Sequence, residues 1–305
     1  MSLLLQSWIP TTLLAAFLQN LRTVMQRQAA QTLSTAGVTF SRFLWGAPAA
    51  LVYLAALAAF EHTSIPAANK PFLAYALIGG VGQILGNALL VHSFRFRNFL
   101  VATAYSKTEV GQTAIFSALW LREPPTLLAG LGIGISMAGV IALSLARGQE
   151  TLKSWWHALL QRPALYGLGV GASYAVATIA YRAGALALPH GDAALRAATT
   201  LAWVTGIQAL LMAPYLMMRE RGELSRVLRA PRVAVPIGLS GAIASAAWFT
   251  AMSLENVSYV RALGQAELVF TLLSSHHLFG ERSNKRELLG VLLTVTGILL
   301  VLFGR

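Results

Sequence analysis

The 305-residue chain is 56% hydrophobic and only 11% charged, has a mean hydropathy of +0.62, carries a formal charge of +12 and contains no cysteine. A water-soluble domain carries about 25% charged residues, so lipid must be the solvent for most of this surface. The basic residues cluster in short segments between apolar runs and form no stripe interleaved with aromatics, which sets nucleic acid aside as a partner. The missing cysteines exclude disulfides, thiolate metal sites and cysteine nucleophiles.

A membrane span needs about 20 largely apolar residues. The first apolar run, 8–27, has no basic lead-in, and Gln19, Asn20 and Arg22 interrupt it; it reads as a membrane helix and not a removable leader. Further spans follow at 34–60, 71–93, 98–121, 125–146, 164–186, 192–217, 231–254, 258–279 and 286–303. Pro66, Pro71, Pro124, Pro125, Pro163, Pro189 with Gly191, and Pro231 punctuate the breaks. Between the fifth and sixth spans, Trp155 and Trp156 sit among Lys153, His157 and Arg162, a pattern suited to a short helix at headgroup level. The expected fold is therefore an all-α membrane protein of ten transmembrane helices.

Its two halves, 1–150 and 151–305, echo each other. Glu109, Glu123, Gly132 and Gly139 recur at a constant offset as Glu267, Glu281, Gly290 and Gly297, and Arg42 corresponds approximately to Arg196. Five spans per repeat is an odd number, so the second copy enters the membrane inverted. Inverted five-helix repeats with a site at their interface are a plan of secondary transporters. Lys and Arg concentrate in the odd-to-even loops, which the positive-inside rule places in the cytoplasm, with both termini outside.

The layout resembles the drug/metabolite transporter superfamily, in particular its EamA-type members. Arg42 and Arg196 carry the likeness, with the Arg122-Glu123 and Gly280-Glu281-Arg282 turns, each followed by a glycine-rich helix. The resemblance implies a metabolite transporter, export as its direction and cytoplasmic termini, the reverse of what the charge bias gives. Many relatives have a proline in the fourth and ninth spans, where this chain has Val110 and Leu268.

Charges within spans are costly and mark pathways or ion pairs. The candidates among them are Arg42, Lys107, Glu109, Arg196 and Glu267, with Arg22 near a boundary. Pairing of Arg42 and Arg196 with the two glutamates, locking helices together, stands beside a transport role. Positions three and four apart share a helix face. Polar stripes follow: Gln19, Arg22 and Gln26; Gln83 and Asn87; Tyr105, Glu109 and Gln112; Tyr174, Thr178 and Tyr181; Arg196, Thr199, Thr200 and Trp203, with Trp248 as a further lining residue. Such stripes face a bundle interior, as a solute cavity or as hydrogen-bonded helix contacts. Glu109, on its hydratable stripe, is expected to lack an arginine partner and to bind a proton or cation; Glu267, among Leu263, Gly264, Phe270 and Thr271, is expected to be fixed in a pair. Gly82 and Gly86, Gly130 and Gly134, and Gly167 and Gly171 have the spacing of close helix contacts.

His276-His277 has no ligand partner at metal spacing, and no zincin, nucleophile-elbow or P-loop motif occurs. No catalytic residue, metal or cofactor is called for, and an enzyme is not expected. The leading reading is a secondary active transporter of the inner or plasma membrane, moving an amino-acid-like metabolite outward with protons or another ion as coupling partner. A lipid or lipid-precursor flippase, or an uptake carrier for a small organic solute, stands as the alternative. Oligomeric state is not legible.

Overall fold

The computed structural model describes residues 7–29, 31–93, 102, 105–148, 162–270 and 285–305. Every regular element among them is helical. In chain order they are α1 (Trp8–Ala29), α2 (Thr35–Phe60), α3 (Lys70–Ser93), α4 (Glu109–Phe116), α5 (Leu127–Gly148), α6 (Arg162–Ala187) and α7 (Ala193–Arg219), then α8 (Glu223–Arg229), α9 (Pro231–Leu254), α10 (Val257–Leu263) and α11 (Lys285–Gly304). A π turn, Ser117–Leu121, extends α4, and a 3-10 turn, Gly264–Ala266, follows α10. Six described helices are long and apolar enough to cross a bilayer: 35–60, 70–90, 164–187, 193–219, 231–254 and 287–304. The count of ten also needs α1, a shorter apolar stretch at Leu127–Leu143 and the fourth and ninth spans, which are only partly described. The interfacial segment 151–161, His276-His277, Thr271 and the Gly280-Glu281-Arg282 turn lie outside the described residues.

The chain condenses into two compact units, each drawing on both halves of the sequence: residues 1–81 with 180–254, and residues 82–179 with 255–305. In the first unit α9 packs on α1, α2 and α7, and α7 also packs on α2. Here α2 and α9 approach at backbone distance, because a Cβ on Gly238 would collide with Trp45 and the Gly46 amide. Short α8 closes one end. Glu223 accepts from the Ser34 amide (2.5 Å), Ser34 Oγ donates to Glu220, and Ser34 caps α2 through the Gly37 amide (3.0 Å). At the other end Asn69 Nδ2 donates to the Ala187 carbonyl (2.6 Å).

In the second unit α5 and α11 lie antiparallel with their backbones in contact. A Cβ on Gly132 would fall 2.7 Å from the Gly297 carbonyl and 2.8 Å from the Val301 amide; one on Gly290 would fall 2.9 Å from the Gly139 carbonyl and 2.8 Å from the Leu143 amide. Each of these pairings is the other's image under the sequence repeat. The repeated glycines thus form one reciprocal contact between repeat-related helices of opposite direction. Gly130 and Gly134 meet nothing within 4 Å among the described residues, so their four-residue spacing marks no helix contact there. Gly82, Gly86, Gly167 and Gly171 do mark contacts: Ser173 and Ala177 face Gly82, Tyr174 faces Gly86, Tyr105 faces Gly167 and Glu109 faces Gly171.

Candidate functional site

In the first unit the polar groups converge on one face of α9. Gly241, Ser245 and Trp248 lie three to four residues apart and so share that face. Trp248 Nε1 donates to Gln19 Oε1 of α1 (3.0 Å), and Arg42 Nη2 of α2 donates to Ser245 Oγ (3.2 Å). The point where Gly241 would carry a Cβ is 3.1 Å from Arg42 Cγ and 3.4 Å from Arg22 Cδ. Both arginine stems thus run past the bare backbone of residue 241. Arg22 is buried inside α1 and does not belong to the following loop, which the sequence alone did not separate.

Other predicted residues of this unit have local duties. Tyr181 donates to the Gly79 carbonyl (2.9 Å) and packs its ring on Phe249, with centroids 4.6 Å apart. Thr199 and Thr200 are buried and donate back to the Leu195 and Arg196 carbonyls, each at 2.8 Å, so their hydroxyls serve their own helix. Trp203 stands edge-on to Phe72 and is 43% exposed. The Arg196 Nε is buried on α7 with no hydrogen-bond acceptor among the described residues. Arg182 lies within α6 and donates to the Met252 carbonyl.

A separate apolar cleft of about 260 Å³ opens between helices of the same unit. Ala49 and Tyr53 of α2 and Ala242, Ile243 and Ala246 of α9 line it, with exposed Leu14 and Leu239 at the rim.

In the second unit the two repeat-related glutamates occupy matching breaks. Residues 105–106 are helical, Lys107 and Thr108 form a turn, and Glu109 starts α4; α10 gives way to the 3-10 turn Gly264–Ala266, and Glu267 follows it. Neither break contains proline. Glu109 forms an ion pair with Arg261 of α10, the side chains being 13% and 18% exposed. This corrects the expectation that Glu109 lacks an arginine partner, and the partner is neither Arg42 nor Arg196. Arg261 was overlooked as a site residue because its pairing spans 152 positions of sequence.

The Tyr105, Glu109 and Gln112 stripe is interrupted by the turn at 107–108. Tyr105 is buried, and Gln112 Nε2 donates to Thr108 Oγ1 (2.9 Å) and the Leu168 carbonyl (3.3 Å), joining α4 to α6. Tyr174 OH donates to Asn87 Oδ1 (2.7 Å), while Gln83 is half-buried on the same stretch of α3. Thr178 donates back to the Tyr174 carbonyl. The Arg122-Glu123 turn has a structural task. Arg122 is left-handed (φ 57°), and the Glu123 carbonyl accepts from Asn256, which also caps α10.

The model of the EamA-like transporter family matches residues 6–145 and again residues 161–303. The chain belongs to the EamA-like transporter family. It is accordingly a multi-pass membrane protein built from two copies of the EamA unit, and its family function is transport. No curated protein matches it. It is similar in fold to a crystal structure described only as that of a protein, at a TM-score of 0.73 and 16% identity, covering 98% of this chain and 97% of that one.

Proposed function

We propose that this EamA-family chain is a secondary active transporter that exports a small, polar, amino-acid-like metabolite and couples its movement to protons or another ion. The observation that carries the reading is the pair of helix breaks immediately before Glu109 and Glu267. At both places the helix tightens and does not open, the Thr108 amide bonding the Tyr105 carbonyl and the Glu267 amide the Gly264 carbonyl; irregular backbone at membrane depth is tolerated where protein or a water-filled path surrounds it. Discontinuous helices at equivalent places in inverted repeats are how secondary transporters build their binding sites. The antiparallel, reciprocal contact of α5 with α11 supports inverted repeats at 1–150 and 151–305. In this reading Glu109 and Glu267 are coupling groups, with the Glu109–Arg261 pair opening and reforming during the cycle. Arg42, Arg196, Gln19, Tyr181, Trp203 and Trp248 in the first unit, and Gln83, Asn87, Tyr105, Gln112 and Tyr174 in the second, are the solute-contact candidates of their own units.

Purified protein in liposomes, given a panel of labelled amino acids and small organic acids with and without a pH gradient, tests this. Gradient-dependent flux of at least one solute is expected, and Glu109→Gln should remove its pH dependence. Flux that ignores every ion gradient would leave a facilitator in place of a coupled transporter. The apolar cleft beside α9 favours a second reading, a flippase, since an acyl chain needs such a lateral opening. Transfer of a fluorescent lipid between leaflets in the same vesicles would favour it.

A further inference from the structure

We infer that the seam between α4 and α10 is a proton path, in which the Thr113 and Ser258 hydroxyls hold water and relay protons between the Ser117–Asn256 end and Glu109. The inference rests on the transport reading and deepens it by naming the proton as the coupling ion. The two helices run antiparallel and are tied at both ends. Glu109 pairs with Arg261 at one end; at the other, Ser117 Oγ donates to Asn256 Oδ1 at 3.4 Å or to the Glu123 carbonyl at 3.2 Å. Between the ties, Glu109, Thr113 and Ser117 follow at four-residue intervals on one face of α4, and Ser258 lies one turn from Arg261 on α10.

Thr113, Ser117 and Ser258 are fully buried. Neither the Thr113 nor the Ser258 hydroxyl has a hydrogen-bond partner among the described residues. Thr178, Thr199, Thr200 and Thr294 each donate to the carbonyl one turn back, and Thr113 does not. Unmade hydrogen bonds are costly in an apolar interior, so two such hydroxyls in one seam call for a small polar occupant. Residues at this helical spacing stand about 5–6 Å apart. One water spans that gap, with a hydrogen bond of about 2.8 Å to each side.

Hydroxyls and water pass protons because each oxygen accepts one hydrogen and releases another. A proton entering at Ser117 therefore ends on a Glu109 oxygen. Only O–H bonds form and break, and the neutral carboxyl no longer holds Arg261 as an ion pair. A metal cation in the same seam would meet the Arg261 guanidinium. Arg261 is the charge that faces Glu109 from α10, and Lys107 lies on the turn before it. From α5 and α6 come neutral groups, Met137 against Gly111 and Gly171 against the Glu109 amide. Beyond Ser117 the path reaches water at Glu255, next to Asn256, whose side chain is 27% exposed and pairs with Arg305.

The test uses the full-length protein in liposomes. One readout needs no solute: the rate at which the protonated carboxyl band of Glu109 appears in the infrared after a drop in pH, identified by its absence from Glu109→Gln. The other is movement of a mixture of tritium-labelled L-amino acids, driven by a pH gradient or by exchange at equal pH. Thr113→Val and Ser258→Ala should each slow Glu109 protonation and gradient-driven flux by about tenfold or more, toward the low side of what a positioned proton-transfer group contributes. Exchange should be affected far less. Neither change removes a hydrogen bond to protein, so both variants should stay folded by size exclusion. Thr113→Ser keeps the oxygen and should recover most of the rate. If Glu109 protonates as fast in both variants as in the parent, or if exchange falls as much as gradient-driven flux, the path is overturned while the transport reading stands. If no Glu109 band appears across the pH range in which the protein stays folded, the path and the coupling role of Glu109 fall together.

Discussion

Removing one partner of a buried ion pair strands the other charge, at a cost of about 3–5 kcal/mol when the pair is fully buried. Glu109 and Arg261 retain 13% and 18% exposure, so Glu109→Gln should destabilise the fold by about 3 kcal/mol, at the lower end of that range. Arg261→Gln should cost about the same, and the double variant less than the two together, with a coupling of about 0.5–3 kcal/mol between touching residues. Thermal unfolding in detergent measures this, and strictly additive losses would mean that the pair contributes nothing. If Glu109 also couples transport, both single variants will change the pH profile of flux, a readout that packing alone would not move. Glu109 was legible in the sequence as an intramembrane carboxylate because charge is rare there. Its partner was not, since no local spacing connects α4 with a residue in α10. Arg22 shows the same limit: a charge seven residues from the end of α1 reads equally well as a loop edge, and only tertiary packing buries it.

At the scale of elements, hydropathy and proline punctuation placed eight of the helices to within two residues, and 231–254 is the observed α9, while the fourth and ninth spans are only partly described. Apolar length is an intrinsic property of a segment, and the bilayer imposes it directly. Contacts between helices are not intrinsic, and the glycines demonstrate this. Gly130 and Gly134 have the same spacing as Gly82 and Gly86, yet only the latter touch another helix. The constant repeat offset was a better guide than spacing, because it selected Gly132, Gly139, Gly290 and Gly297, all of which lie in the α5–α11 seam. Gly139→Ala would put a methyl carbon 2.7 Å from the Gly290 carbonyl. Backbone cannot yield to it, so the helices must separate, and a loss of about 1–3 kcal/mol is expected, as for overpacked cores. Gly130→Ala and Gly134→Ala meet open space and should be neutral or stabilising by up to about 1 kcal/mol through helix propensity. Melting temperatures of the three proteins in one detergent make the comparison. Equal behaviour of Gly139→Ala and Gly134→Ala would remove the close seam from the account.

For the whole molecule, the internal contacts constrain which connections share a membrane face. The α1–α2 connection meets the α7–α9 connection through Ser34, Glu220 and Glu223, and Asn69 ties the α2–α3 connection to the end of α6. In the second unit the α4–α5 turn meets Asn256 before α10 and the carbonyl of Gly304, while Arg305 pairs with Glu255 (3.6 Å). Within the first unit odd-to-even connections thus touch each other, as do even-to-odd ones, and within the second an even-to-odd connection touches another and the C-terminus, as alternating crossings require. Which set faces the cytoplasm is a separate question, and only charge speaks to it. Five basic residues, Arg219, Arg221, Arg226, Arg229 and Arg232, fall in the one connection between α7 and the start of α9. Short loops rich in Lys and Arg are retained in the cytoplasm, so the C-terminus should be extracytoplasmic, opposite to the orientation the family resemblance implies. A C-terminal fusion to a phosphatase that folds only outside should be active and a fluorescent fusion dark, with the reverse for reporters inserted after Gly222. Replacing the five arginines by glutamine should give a mixture of orientations. A bright C-terminal fluorescent fusion would show that the repeats insert in the family's usual sense and that the arginines of the α7–α9 connection face outward, where the positive-inside rule gives them no reason to be.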